Sequence, residues 1–307
     1  MASRNKGTIG IVGLGIMGGA FAQNLVAGGW RVIGYDIDAR RRRAMARAGV
    51  EIAADAADVA KKARDIITSL PSPAALAATV AAIAKAGVPR RVIIEASTFK
   101  IEDKTKAAAT LRKAVHVLLD CPISGTGAQA KTRDLVVYAS GGPAEIKRLR
   151  PMFAAFSRGV YDLGAFGNGS RMKYVANLLV AINNVASGEA MVLGMKAGLP
   201  PQQIFELIKS GAGNSRVFEL RAPMMVKNNY KDATMKISVW QKDMDVIGSY
   251  AKKIRVPTPM FDASKAIYAK ALKGGRGAED TAAVCAVLEQ MAGVKRSRAK
   301  KAKTPAV

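Results

Sequence analysis

The chain has 307 residues, half of them hydrophobic, which supplies core for two domains and excludes a disordered polymer. Two distant cysteines, Cys121 and Cys285, and a single histidine, His116, leave no parts for a disulfide framework, a metal-ligand cluster or a serine-histidine-aspartate triad. A formal charge of +25 favours anionic partners such as dinucleotides, carboxylates or nucleic acid without choosing among them.

The apolar run Thr8–Val12 reads as a buried strand, followed by Gly13, Gly15 and Gly18 in GxGxxG spacing and by an apolar-periodic helix, Ile16–Ala27. Residues Gly13, Leu14, Gly15, Ile16, Met17 and Gly18 are therefore candidates to cradle a pyrophosphate, with the helix N–H groups facing the phosphates. Gly28-Gly29 stops the helix. A second strand, Arg31–Tyr35, ends in Asp36, about 20 residues past the glycines, where a carboxylate accepts hydrogen bonds from the adenosine ribose. Asp36 opposes a 2′-phosphate and favours NAD over NADP, whereas Arg40 to Arg43, opening the next helix, pull the other way or simply face solvent.

Further strands are expected at Asp65–Leu70, Arg91–Glu95 and His116–Asp120, separated by helices over Ala74–Ala86 and Asp103–Ala114. His116 is read as a strand-end residue and the two cysteines as small buried groups. The alternation predicts a Rossmann-type doubly wound parallel sheet, whose ligands sit beyond the carboxyl ends of the strands. That rule singles out Leu70-Pro71, Ser97-Thr98 and Ser124-Gly125. Short strands over Leu135–Ser140 and Val160–Leu163 are expected to complete this α/β domain near Gly164.

From Gly169 to Ala197 the apolar spacing predicts one helix of nearly thirty residues, on the order of 40 Å long, ended by Gly198-Leu199-Pro200-Pro201. Gln202–Lys209, Ser238–Ile254, Met260–Leu272 and Ala278–Met291 read as further helices. The expected organisation is a dinucleotide-binding domain over 1–166, an all-α substrate and oligomerisation domain over 167–293 joined by the long helix, and a basic, disordered tail over 294–307. No segment reaches the roughly 18 uncharged apolar residues that span a bilayer, and the first ten residues lack an apolar core, so a cytoplasmic protein with no membrane partner is expected.

Lys173 and Asn177 stand one turn apart near the start of the long helix. A lysine there can protonate or deprotonate the oxygen of a carbonyl or carbinol, and an asparagine can orient both partners. Spacing alone does not separate such a pair from a solvated helix face.

Four segments together resemble the β-hydroxyacid dehydrogenase family, which includes 3-hydroxyisobutyrate dehydrogenases and is related to 6-phosphogluconate dehydrogenases. They are GLGIMGGAFAQNL, DCPISGTGAQA at Asp120–Ala130, GAFGNGSRMKYVAN at Gly164–Asn177, and QKDMDV at Gln241–Val246. The resemblance implies Lys173 as the catalytic acid/base with Asn177 beside it. It also implies Ser124, Gly125 and Thr126 on the substrate carboxylate, Leu70, Pro71, Thr98 and Lys242 on the cofactor, and Asp243 near the reacting groups, orienting Lys173. Thr126 stands where the family's loop has a second glycine, and Arg133-Asp134 replace small residues, which suggests a narrower or more polar pocket. The segment GAGNSRVFELR at Gly211–Arg221 resembles the branch acting on sugar acids such as L-threonate; Asn214, Ser215 and Arg216 then offer donors for hydroxyl groups, or else form a turn between helices.

The leading expectation is an NAD(P)-dependent dehydrogenase of a small anionic 3-hydroxy or sugar acid, using no metal and forming a homodimer or homotetramer. An NADPH-dependent glyoxylate or semialdehyde reductase is the alternative on the same architecture, and the lysine argues against an imine reductase. A dinucleotide-dependent nucleic-acid-binding factor, suggested by the +25 charge and the basic tail, is the remote one.

Overall fold

The computed structural model describes residues 6–296. Contacts divide the chain into two compact units, one containing the chain up to Asn177 together with Asp245–Arg255, the other containing Leu178–Met244 and the chain from Val256 onward.

The first unit opens with β1 (Thr8–Val12), α1 (Ile16–Ala27), β2 (Arg31–Tyr35), α2 (Ala39–Arg47), β3 (Glu51–Ile52), α3 (Ala56–Lys62), β4 (Asp65–Thr68), α4 (Pro73–Ala84), β5 (Val92–Glu95), α5 (Ile101–Lys113) and β6 (Val117–Asp120). The six strands pair in the order β3-β2-β1-β4-β5-β6, all parallel. Every residue of β4 and β5 is buried, as an apolar strand covered on both faces must be. One face packs Ile11, Phe21, Leu25 and Ile94 together, the other Ile33, Ile66, Val80 and Ile93. Strand order reverses between β1 and β4, the switch point at which such sheets hold ligands.

The chain continues through β7 (Ile123–Ser124), α6 (Gly127–Lys131), β8 (Val136–Ala139), α7 (Pro143–Phe153) and β9 (Gly159–Asp162). The two late strands expected from the sequence are present as β8 and β9, and with the short β7 they form a separate three-stranded sheet, β7-β8-β9, in which β7 is antiparallel to β8. After β6 the chain meets Pro122, which has no N–H to donate, and a lone bridge between Asp120 and Ser140 is what remains between the two sheets.

The long helix is present as α8 (Asn168–Lys196), and the unit boundary falls within it. By length and composition it is also the one described helix apolar enough to cross a membrane. The second unit adds α9 (Pro201–Ser210), α10 (Arg216–Lys227), most of the first half of α11 (Ile237–Lys253), α12 (Pro259–Lys273), a single 3₁₀ turn at Thr281–Ala283 and α13 (Val284–Ala292). The helix expected from Ala278 starts later because the Asp280 carboxylate accepts from the Ala282 N–H and caps the 3₁₀ turn first. Of the basic stretch assigned to a tail, 297–307 lie outside the described residues. Arg296 itself is folded: it pairs with the buried Glu289 and donates to the Val226 carbonyl at 3.1 Å.

Candidate active site

The glycine loop is fixed by bonds to β2 and to the acid that ends it. Gly13 N–H donates to the Tyr35 carbonyl (2.8 Å), and Leu14 N–H donates to Asp36 Oδ2 (2.8 Å). Asp36 Oδ1 accepts from Asp38 N–H at 2.8 Å, so this buried carboxylate holds the loop as well as standing at the end of β2. A Cβ on Gly18 would lie 1.8 Å from the Gly13 carbonyl oxygen, which restricts that position to glycine. At Gly15 the nearest group to such a Cβ is the tip of Arg41, 3.5 Å away, and α1 begins there without a side-chain cap. An open backbone cradle, orphan helix N–H groups and a carboxylate at the next strand end fit a dinucleotide.

Of the four arginines, Arg40, Arg41 and Arg43 are exposed. Arg41 Nη1 lies 3.4 Å from Asp36 Oδ2, while Arg42 donates to the Asp36 carbonyl at 2.6 Å and covers the Tyr35 ring at 6.0 Å.

The strand-end loops are joined in series. Leu70 N–H donates to Ser97 Oγ (2.9 Å), and Ser97 N–H donates to Glu95 Oε1 (3.0 Å). Pro71 is exposed and Thr98 half-buried on these loops. Ser124, Gly125 and Thr126 are half-buried in the turn from β7 to α6. The Thr126 N–H is already spent on Gln129 Oε1 (3.0 Å), whose amide donates to Asp134 Oδ2 (3.0 Å). Asp134 also pairs with Arg158 at 2.8 Å, and Arg133 is exposed. Of the residues expected to make the pocket more polar, Asp134 thus braces the loop through Gln129. A Cβ on Gly127 would lie 2.4 Å from Ile16 Cγ2, so this loop rests on the first turn of α1. Glycine loop, strand-end loops and the turn from β7 to α6 therefore share the carboxyl edge of the first unit.

Lys173 and Asn177 are both buried on α8, 8% and 3% exposed, although lysines are rarely buried unless engaged. Three residues earlier, Ser170 N–H and Oγ donate to the two oxygens of Asp120, each at 2.8 Å. The sequence reading gave Asp120 no role, and it passed over Lys104, whose buried ammonium lies 2.6 Å from Glu95 Oε2 and 2.8 Å from Asp120 Oδ1. A signal existed: Lys104 shares the buried face of α5 with Ala107 and Leu111, where a lysine needs a partner.

In the second unit, Asn214 Nδ2 and Arg216 Nη1 donate to the two oxygens of Glu219 (2.8 and 2.7 Å), and Ser215 Oγ caps α10 by accepting from Phe218 N–H (3.0 Å). The segment is a helix start, with Asn214 Oδ1 enclosed and lacking a hydrogen-bond partner among the described residues. On α11, Lys242 lies 3.4 Å from the carboxylate of the buried Asp243. Among the described residues no group of three histidine, cysteine or acidic side chains is placed to hold a metal ion.

The model of the NAD-binding domain of 6-phosphogluconate dehydrogenase matches residues 8–164, and that of the NAD-binding domain of NADP-dependent 3-hydroxyisobutyrate dehydrogenase matches 167–288. An L-threonate dehydrogenase of Cupriavidus necator is 30% identical over 92% of this chain and 95% of its own length. The chain belongs to the β-hydroxyacid dehydrogenase family. A second family relative, the 2-(hydroxymethyl)glutarate dehydrogenase of Eubacterium barkeri, is 30% identical over 93% of this chain and 96% of its own. The crystal structure of a 3-hydroxyisobutyrate dehydrogenase from Salmonella typhimurium superposes with a TM-score of 0.83 at 28% identity, covering 91% of this chain and 99% of that one. This β-hydroxyacid dehydrogenase is accordingly an NAD(P)-dependent oxidoreductase acting on the CH–OH group of a hydroxy acid.

Proposed function

We propose that this enzyme oxidises a small 3-hydroxy acid or sugar acid of the L-threonate type with NAD, and that Lys173 is its general acid/base. The observation that carries the reading is a buried lysine on a helix whose first turn is bonded to the end of β6, in the same unit as the open glycine cradle. When bound, the nicotinamide supplies the acceptor for the hydride leaving the carbinol carbon. Neutral Lys173 takes the hydroxyl proton as the carbonyl forms, and in the reverse direction its ammonium returns that proton to the developing alkoxide. Asn177, one turn on, orients the same oxygen. The hydroxyls of Ser124 and Thr126 and the Gly125 N–H receive the substrate carboxylate, the Thr126 N–H being committed to Gln129.

Preference for NAD is supported by the buried Asp36 carboxylate, which opposes a 2′-phosphate and draws the Arg41 guanidinium to itself. Leu70, Pro71, Thr98 and Lys242 are assigned to the cofactor, and Asn214 and Asp243 to the substrate, on family resemblance. The unpartnered Asn214 Oδ1 supports an acceptor for a substrate hydroxyl and so the sugar-acid branch. We further infer a dinucleotide-binding domain over 1–166, an all-α domain over 167–293, a cytoplasmic location, and a homodimer or homotetramer that light scattering would register.

The test is steady-state turnover with NAD and NADP across 3-hydroxyisobutyrate, L-threonate, D-glycerate and 3-hydroxypropionate. The expected result is one preferred acid and a higher kcat/KM with NAD; a higher value with NADP would reverse the cofactor assignment. Lys173→Ala should lower kcat by about 1,000-fold, within the range of general acid–base catalysis, with dinucleotide affinity unchanged. Turnover close to the parent would remove Lys173 from the mechanism.

A further inference from the structure

We propose that Lys104 is a positioning residue of the active site, holding Lys173 in register through Asp120 and Ser170. The inference rests on the assignment of Lys173 as general acid/base. Lys104 donates to Asp120 Oδ1 at 2.8 Å and to the Ser97 carbonyl at 2.7 Å, and its ammonium is ion-paired with Glu95, 2.6 Å from Oε2. Lys104, Glu95 and Asp120 are all fully buried. Burial opposes the ammonium charge, yet the two carboxylates more than offset it and hold Lys104 above the usual lysine range.

These three partners belong to the elements on which the mechanism depends. Glu95 ends β5, Ser97 opens the loop carrying Thr98, and Asp120 ends β6 just before the turn carrying Ser124. Asp120 passes the constraint to α8, since both its oxygens accept from Ser170. Ser140 adds a second tie by donating to Asp120 Oδ2 (3.3 Å) and accepting from Gly169 N–H (3.0 Å). On the other side of Lys173, the buried Tyr174 hydroxyl donates to the Phe99 carbonyl at 2.5 Å, on the same loop as Ser97 and Thr98. Lys173 is thus bracketed by Ser170 and Tyr174, each bonded to a strand-end segment that Lys104 joins to the other.

A buried ion cluster is a poor source of stability, because desolvation cancels much of the attraction and apolar replacements are often neutral. Its directional value is another matter. Without the ammonium, Glu95 and Asp120 stand as two buried carboxylates, and Asp120 must take a proton or turn away, which in either case alters its grip on Ser170. Displacement of a general base by even an ångström is felt in the rate, since a 1 Å misplacement can cost about 100-fold.

Ser170→Ala gives the cleaner test, because it deletes one donor to Asp120 and leaves the backbone N–H in place. At a temperature where circular dichroism shows the variant fully folded, kcat for oxidation should fall about tenfold, well within the cost of small misplacements, with KM for the dinucleotide within about twofold. The pH at which kcat rises should also move, since the surroundings of Lys173 change. Lys104→Met, if it folds, should lose more turnover than Ser170→Ala, again in kcat rather than in dinucleotide KM. Parental kcat and an unmoved pH profile in folded Ser170→Ala would overturn the inference, as would a loss confined to thermal stability. Lys173→Ala assayed alongside separates the two claims. If it is inactive while Ser170→Ala is unaffected, only the positioning role falls; if it stays active, the general-base assignment is what fails.

Discussion

Two buried cation–carboxylate clusters, one in each unit, use similar chemistry to different ends. Arg221 of the second unit donates to both oxygens of the fully buried Asp280 at 3.0 Å and to Thr234 Oγ1 at 2.5 Å. Asp280 also accepts from the N–H groups of Thr234 (2.8 Å), Met235 (3.1 Å) and Ala282 (2.9 Å). Its partners are a loop and the 3₁₀ turn before α13, so the cluster closes the chain around α10. The Lys104 cluster instead joins two strand ends to the helix that carries Lys173. Arg221 and Asp280 form a balanced pair, whereas Lys104 answers two carboxylates and leaves one excess negative charge. The comparison teaches that a buried ion pair takes its meaning from what its partners carry.

Arg221→Met should produce the largest stability loss among substitutions outside the proposed machinery. It leaves Asp280 buried without its cation, and breaking such a pair costs about 3–5 kcal/mol. Urea unfolding would show this as a lowered midpoint, while kcat per folded molecule stays at the parental value. A fall in kcat comparable to that of Lys104→Met would erase the distinction between the clusters. Thr234→Val probes the same site more gently. It removes the hydroxyl that donates to Asp280 Oδ2 (3.1 Å) and retains the backbone donor, so the expected loss is ~1.5 kcal/mol, the scale of a hydrogen bond to a charged group. An effect as large as that of Arg221→Met would mean that the hydroxyl, and not the cation, dominates.

Much of this frame was legible in the sequence. The β1–α1–β2 unit was read correctly because glycine spacing, helical periodicity and the strand-end acid are local signals that agree. The long α8 was equally plain, since few residues in it oppose a helix. The strands β8 and β9 were legible, but β7 was not, because two residues, Ile123 and Ser124, show no periodicity and antiparallel pairing with β8 depends on a long-range register. α10 was hidden by Pro223 within it and by the glycines that precede it. The Lys104 cluster escaped for a similar reason: Glu95, Lys104 and Asp120 lie on three different elements, and only the fold brings their charges together. At Asn214 to Arg216 the sequence could not show that Glu219, one turn into α10, accepts from Asn214 Nδ2 and Arg216 Nη1, or that Ser215 caps the helix.

His116 supplies a third buried polar site, neutral where the others are ionic, and the smallest expected effect. The ring is 4% exposed; its Nδ1 accepts from Arg91 N–H at 3.1 Å, and its other nitrogen bonds the Ile83 carbonyl. Burial lowers its pKa below the ordinary histidine value of 6.5, and the nearby Arg91 charge adds to the shift against the Ile83 bond. The folded state therefore binds this proton less readily than the unfolded chain does. Its contribution to stability is complete above pH 6.5 and is lost as pH falls from there through the lower folded value. His116→Asn keeps an acceptor for the Arg91 N–H but cannot titrate. Urea midpoints at pH 7.5, 6.5 and 5.5 should fall more steeply for the parent than for the variant, and since the chain has only this histidine, the difference between the curves belongs to one proton. Parallel curves would show that protonation does not break the bond to Arg91, placing His116 with the tolerant surface groups instead of with the two buried clusters.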